Sequence, residues 1–282
     1  MTTTLRPDGP ERHDDAGGRT RRFLVRDNNR PVGSLRLTTA RIGGFVSGRI
    51  QELTVDGPDR RRGRATVAVL AAEEVLRDWG CAEVEAAVPA EAEAAHHLAL
   101  ALGYRPRNHH LRKDLGTPPP LGEEYEVRAM DAAAYEVWRA GRDASYARSW
   151  RDRGLTAEAA ATKARADHLR LLPQGPDTPR TVLRVLAHRG ADVGTLWVSL
   201  RAAGREDGFV YLVEVHAGRR GEGHGRALME AAERVCLAEG VRGLALNVFA
   251  GNTPAERLYH ALDYRPVTHY LVKPLPGARP PH

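Results

Sequence analysis

The chain has 282 residues, of which 42% are hydrophobic and 28% charged, and its formal net charge is +6. That length carries one large domain or two ordinary ones, with the composition of a globular protein. No run approaches about eighteen apolar residues, so no membrane-spanning helix is expected, and Met1 to Arg22 is too polar for a secretory signal core.

Residues 1–22 read as irregular, with at most one short strand around Leu5. Apolar runs at 23–25 and 32–37 flank Asn28-Asn29, which predicts a hairpin. Phe45 to Val55 is a strand candidate ended by Gly57-Pro58. Arg60 to Arg64 then leads into an apolar helix (Val67, Leu70, Ala71, Val75, Leu76) that stops near Gly80. A strand over 84–88, a helix over 91–102 and a strand over 109–115 follow. Pro118-Pro119-Pro120 can sit in neither a helix nor a central strand, so 117–122 reads as a stiff linker and the domain boundary.

Beyond it, Tyr125 to Met130 is a strand. Asp131 caps a helix to about Ser149 with Ala134, Val137 and Trp138 on one face, and Thr156 caps a second helix to about Leu172. A hairpin turns at Arg189-Gly190 between strands at 181–187 and 193–200. Phe209 to Val215 is a strand, followed by a glycine-rich turn, a helix to Glu239, a strand at 244–248, a helix at 254–262 and a last strand at 267–275. The tail from Pro276 reads as loose.

Residues 60–115 align with 220–275 without a gap. Arg60, Gly63, Ala71-Ala72-Glu73, Gly80, Tyr104-Arg105-Pro106, His109, Leu111, Lys113 and Leu115 meet Arg220, Gly223, Ala231-Ala232-Glu233, Gly240, Tyr264-Arg265-Pro266, His269, Leu271, Lys273 and Leu275. About twenty of roughly fifty-six pairs are identical, against about five by chance, so the chain carries two copies of one α/β unit. The first copy has too few residues ahead of its first hairpin for the two helices that open the second.

Arg220-Gly221-Glu222-Gly223-His224-Gly225-Arg226-Ala227 joins a strand to a helix. There, unpaired amides and the positive helix end suit a phosphate, and Gly223 and Gly225 keep Cβ atoms out of its way. The spacing matches neither the P-loop nor the dinucleotide fingerprint. It resembles motif A of the GNAT acetyltransferases. Leu246-Asn247-Val248, Asn252-Thr253-Pro254-Ala255 and Leu258-Tyr259, then Asp263-Tyr264, resemble the family's motif B, with Asp263 in place of a glycine. The resemblance covers about 124–275 well and about 23–115 as a degenerate copy.

It implies an α/β (α+β) fold class: two GNAT folds in tandem, each a mixed, mostly antiparallel twisted sheet flanked by helices, the N-terminal one truncated. The expected domains are 1–116, a degenerate copy, and 123–282, a catalytic one. It further implies acetyl-CoA as co-substrate and no metal. The pyrophosphate would lie on the loop 220–227, the pantetheine arm against the backbone of Val213 and Val215 and near Asn252, and Tyr259 would protonate the departing thiolate. Glu214 interrupts an apolar strand opposite Val213 and Val215, and burial would raise its pKa toward that of a general base. It reads equally as a solvent-facing residue, and His216 is a second base candidate. Tyr146, Trp150 and Trp197 line the acceptor pocket or simply pack the core. The first copy holds Thr54, Ala65, Ala87, Ala92 and Ala99 where the second has Glu214, Gly225, Asn247, Asn252 and Tyr259. Its Arg60–Arg64 run is either a phosphate holder or a solvated basic loop.

The expected function is N-acetylation of a primary amine, on a small molecule or on a protein N-terminus or lysine, by direct transfer in a ternary complex. The alternative is a non-catalytic acyl-CoA-binding regulator. Positive charge also suits nucleic acid, but no aromatics interleave the arginine run and Lys is scarce (Lys113, Lys163, Lys273). Cys81 and Cys236 lack metal-ligand neighbours and read as core residues of a cytoplasmic protein, a monomer or homodimer with no membrane partner.

Overall fold

The computed structural model describes residues 3–42, 45–152, 155–200 and 207–277. The expected loose tail lies partly outside them, at 278–282. The chain forms two compact units, Met1–His109 with Thr268–His282, and His110–Val267. Among the described residues no helix is long and apolar enough to cross a membrane.

In the first unit, β1 (Thr3–His13) pairs antiparallel with β2 (Arg19–Asp27), β2 with β3 (Arg30–Ile42), and β3 with β4 (Phe45–Val55). The β2–β3 turn uses Asn28 and Asn29 at φ 48° and 68°, the two left-handed residues that match the strand twist. β4 runs parallel to β5 (Cys81–Pro89) after the crossover helix α1 (Arg64–Asp78). Helix α2 (Glu93–Ala101) follows. β1 departs from the irregular segment expected at 1–22. Pro7, Gly9 and Pro10 weaken a strand, but β1 pairs on one side only, where missing donors face water.

The sixth strand beside β5 is β12 (Arg265–Pro274), the last of the chain, antiparallel with Thr268 opposite Pro89 and Pro274 opposite Glu83. Leu271 and Leu275 belong to this unit's core with Leu35, Val69 and Leu76. Lys273 Nζ lies 2.7 Å from Glu73 on α1, a carboxylate with only 4% of its side chain exposed.

The second unit has the reciprocal arrangement. Its sheet runs β6 (Arg105–Asp114), β11 (Gly243–Phe249), β10 (Gly208–Val215), β9 (Ala191–Ser199), β8 (Thr181–His188) and β7 (Tyr125–Ala129). β7 to β10 are antiparallel, and β10–β11 is the parallel pair joined by α5 (His224–Ala238). Leu111 of β6 and Leu115 just beyond it enter this unit's core with Leu228, Met229 and Leu246. Lys113 Nζ reaches both Glu233 oxygens on α5 at 2.8 Å. The cut by packing therefore differs from the cut by repeat at 117–122, because each copy's last strand packs in the other copy's unit.

Two further helices, α3 (Ala132–Arg151) and α4 (Ala157–Leu171), stand ahead of β8 in the second unit alone. Asp131 accepts from Ala134 N and Thr156 from Ala159 N, the caps the sequence announces. On α3, Ala134 and Trp138 pack inward but Val137 is exposed, so the expected three-residue face is narrower. Helix α6 (Thr253–Ala261) completes the unit.

Candidate active site

The opening is built by β10 and β11 parting. They pair only from Gly208–Val210 against Leu244–Leu246. Beyond that, Val213 and Val215 pair with Leu196 and Gly194 of β9 on one side, and their other backbone edge is free of β11. A bulge at Tyr211 shifts the register between Val210 and Leu212. It lets Val210, Val213 and Val215 face the α5 side while Tyr211 and Leu212 pack toward α3.

At the end of β10 a single 3-10 turn (Ala217–Arg219) leads to Arg220, then Gly221 at φ 85° and Gly223 at φ 89°, the residue before α5. Only glycine adopts these angles without strain, and a Cβ at either would meet nothing within 4 Å. Space is therefore open above the loop. Arg226 and Ala227 amides return to Gly223 O, whereas the amides of Gly221 to Gly225 have no acceptor among the described residues. Five unpaired N–H groups at the positive end of a fifteen-residue helix suit a phosphate, so the residues present fit the diphosphate of acetyl-CoA.

Several expected contributors take other roles. Gly225 is not open at its Cβ position: a Cβ there would meet Leu258 Cδ2 at 3.2 Å, so its missing side chain makes room for helix α6, while its amide stays unpaired among the described residues. The Ala227 side chain is buried and its amide is occupied. His224 is 2% exposed and points inward, with Tyr125 Oη 2.9 Å from Nδ1 and Glu222 3.2 Å from Nε2, leaving only its amide for the loop. Arg219 pairs with Glu222 and holds its carboxyl below the usual range. Arg220 Nε lies 3.5 Å from Val215 O, and Arg226 is within 4.0 Å of Glu230. Asn252 Oδ1 caps α6 by accepting from Ala255 N, which leaves its NH2 free to donate.

Tyr259 on α6 is 9% exposed and packs edge-on to Tyr264 at 6.1 Å. Its hydroxyl has no hydrogen-bond partner among the described residues, and unlike that of Tyr264 it is not sealed from solvent. Burial pushes the phenol above its ordinary pKa and keeps it protonated. Glu214 is exposed, the solvent-facing one of its two readings: alternation opposite Val213 and Val215 holds, but the α3 side of the strand is open there. Glu214 and His216 line one cavity of about 610 Å³ with Trp138, Arg142 and Thr195.

A second cavity of about 610 Å³ lies between α3, α4 and the sheet, and Tyr146, Trp150 and Trp197 all line it with Tyr211 and Phe249. In it the structure reveals a chain the sequence reading missed. His168, 8% exposed, lies with Nε2 2.7 Å from Tyr135 Oη and Nδ1 3.3 Å from Asp143 Oδ1. Burial lowers its pKa and favours the neutral ring, which shares a hydrogen bond with Tyr135 Oη at Nε2 and has Asp143 beside Nδ1. Ala160, Ala164 and His168 form one buried stripe of α4 at helical spacing, the signal that could have found it.

Among the described residues, the first unit differs at these positions. Helices α3 and α4 have no counterpart there, and Arg61 sits at φ 57° where Gly221 stands in the second. Arg64 is 3% exposed and bonds Asp27 and Asp59, while Arg60 Nε donates to Val55 O. The basic run thus commits two of its arginines to the fold.

The GNAT acetyltransferase family model matches residues 3–104 and again 145–264. The chain belongs to the GNAT acetyltransferase family. It is an acyltransferase with two GNAT copies in tandem. Mycothiol acetyltransferase of Beutenbergia cavernae is 27% identical over 252 residues, covering 82% of this chain and 78% of that protein. The uncharacterised N-acetyltransferase YycN of Bacillus subtilis is 30% identical over 107 residues, 37% of this chain and 69% of that one. Among solved structures, a GNAT protein of Sphaerobacter thermophilus superposes with a TM-score of 0.59 at 20% identity, covering 90% of this chain and 80% of that one. A tandem GNAT protein from the clavulanic acid biosynthesis pathway gives 0.50 at 22%, covering 93% and 85%. These two likenesses concern the fold.

Proposed function

We propose that the second unit transfers acetyl from acetyl-CoA to a primary amine, directly and within a ternary complex, and that the first copy is not catalytic. The observation that carries this reading is Tyr259: a buried, protonated phenol with an unengaged hydroxyl, in the unit that also has parted strands and an unpaired amide loop. The first copy has Ala99 in its place.

When bound, acetyl-CoA supplies the activated acetyl group as a thioester. The amides of Gly221 to Gly225 hold the diphosphate, and the free edge of Val213 and Val215 orients the pantetheine arm, with the Asn252 NH2 group as a further donor. As the C–N bond forms and the C–S bond breaks, two protons move. Glu214, acting through water, takes one from the amine, with His216 in the same cavity as the other candidate. Tyr259 gives one to the departing sulfur. The acceptor enters on the α3–α4 side. The likeness to mycothiol acetyltransferase puts mycothiol-type amines among the acceptors to be tried. The chain acts as a cytoplasmic monomer or homodimer without nucleic acid.

The test is thiol release from acetyl-CoA over an amine panel, for the parent protein, Tyr259→Phe and Glu214→Gln. Tyr259→Phe is expected to lower kcat by about 10² or more, with acetyl-CoA affinity unchanged. Turnover unchanged in both variants overturns these residue roles. Acetyl-CoA binding without thiol release for any amine overturns the transfer reaction.

A further inference from the structure

The α3–α4 cavity contains two adjacent residues of opposite charge that do not neutralise each other. Arg142 and Asp143 both line it, yet no ion pair joins them. Arg142 has no hydrogen-bond or ion-pair partner among the described residues, and its Nε is sealed from solvent. Among the described residues, Asp143 has one basic side chain within 4.0 Å, the ring of His168, whose pKa burial lowers. The cavity's other carboxylate, Asp167, is already engaged by Tyr146 Oη at 3.0 Å and Lys163 Nζ at 2.9 Å. Arg139 of the same helix is committed to Glu136.

A half-buried guanidinium and a carboxylate that are both unspent favour a ligand carrying both complementary groups. A bare cation beside Asp143 would be repelled by Arg142, and a bare anion by Asp143. An ammonium with a carbonyl or carboxylate oxygen on the neighbouring carbon meets both demands. The geometry points to an acceptor with an α-aminoacyl group, its ammonium against Asp143 and its oxygen against Arg142; the ammonium gives one proton to solvent before the neutral amine attacks. His168 is then a positioning residue: its Nδ1 lies 3.3 Å from Asp143 Oδ1, and its ring is tied to Tyr135 Oη through Nε2. This rests on the amine-directed transfer proposed above and names the class of amine. The aminoacyl group can come from a free amino acid or from its amide-linked form.

The experiment compares L-phenylalanine, L-phenylalaninamide and phenethylamine, which differ only in the group beside the amine. Binding is read by calorimetry with CoA present, and turnover by thiol release. Phenylalanine or its amide is expected to exceed phenethylamine by at least about tenfold in affinity, and which of the two leads identifies the source. Arg142→Gln is expected to abolish that preference. Asp143→Asn is expected to raise KM for all three with kcat and acetyl-CoA affinity little changed. His168→Gln is expected to raise KM likewise and to change the pH dependence of KM, a readout that loose packing alone would not move. Equal affinity for the three amines, no binding of any, or a preference that survives Arg142→Gln overturns the inference. Selective binding without acetyl transfer upholds the inference and sinks only the proposed reaction.

Discussion

Lys113→Met is a substitution in the first sequence copy that is expected to loosen the second unit. Lys113 Nζ touches both Glu233 oxygens at 2.8 Å, and the two side chains are 22% and 4% exposed. Removing one partner of a buried pair costs about 3–5 kcal/mol, because the remaining charge is uncompensated. Solvent at Lys113 screens part of that, which brings the cost to about 2–3 kcal/mol. Local opening of α5 then becomes about 30–150 times more frequent. Amide hydrogen exchange followed by mass spectrometry reads this directly, as faster exchange in His224–Ala238 with Arg64–Asp78 unaffected. Lys273→Met is expected to give the reverse pattern through Glu73. Glu233→Gln added to Lys113→Met should restore most of the loss. Faster exchange in α1, with α5 unchanged, would refute the exchange of strands.

Tyr259→Phe should leave thermal stability within about 0.5 kcal/mol, since the hydroxyl bonds to nothing described, so calorimetry separates its catalytic role from a structural one. Gly225→Ala should push the Leu258 side chain on α6 by a few tenths of an ångström, lowering kcat more than acetyl-CoA affinity. Denaturant titration and kinetics together check it. His168 and His269 both have pKa values depressed chiefly by burial, His269 also by His109 and His96. Below about pH 6.5 the unfolded chain binds protons that the folded chain refuses, so stability falls as pH drops toward the folded values. Urea midpoints between pH 7.5 and 5 should decline, and less steeply in His168→Gln.

The repeat, the glycine loop and most elements were legible because each has a local mark: a left-handed pair at Asn28-Asn29, caps at Asp131 and Thr156, and glycines at Gly221 and Gly223. The strand exchange was not. β6 and β12 share His, Leu and Lys at matched positions and are each followed by a Leu, and each core offers the same buried glutamate, Glu73 or Glu233. Either strand satisfies either sheet chemically, so the sequence leaves the pairing undetermined. β1 was hidden by its prolines and charges, which an edge strand tolerates. The role of Gly225 turned on Leu258, thirty-three residues away, and the Tyr135–His168–Asp143 chain spans two helices that match no motif.

The exchanged strands also bear on how far the two copies have been able to drift apart. From 104/264 to 115/275, seven of twelve pairs are identical, although the first copy has lost the tyrosine, the asparagine and the second loop glycine. A closing strand that serves the other copy's core answers to that core, not to its own. Any change in Lys113 must suit Glu233, and any change in Lys273 must suit Glu73. The closing strands thus tie the sequence of each copy to the core of the other, while positions such as Ala92 and Ala99, outside that fitting, differ between the copies.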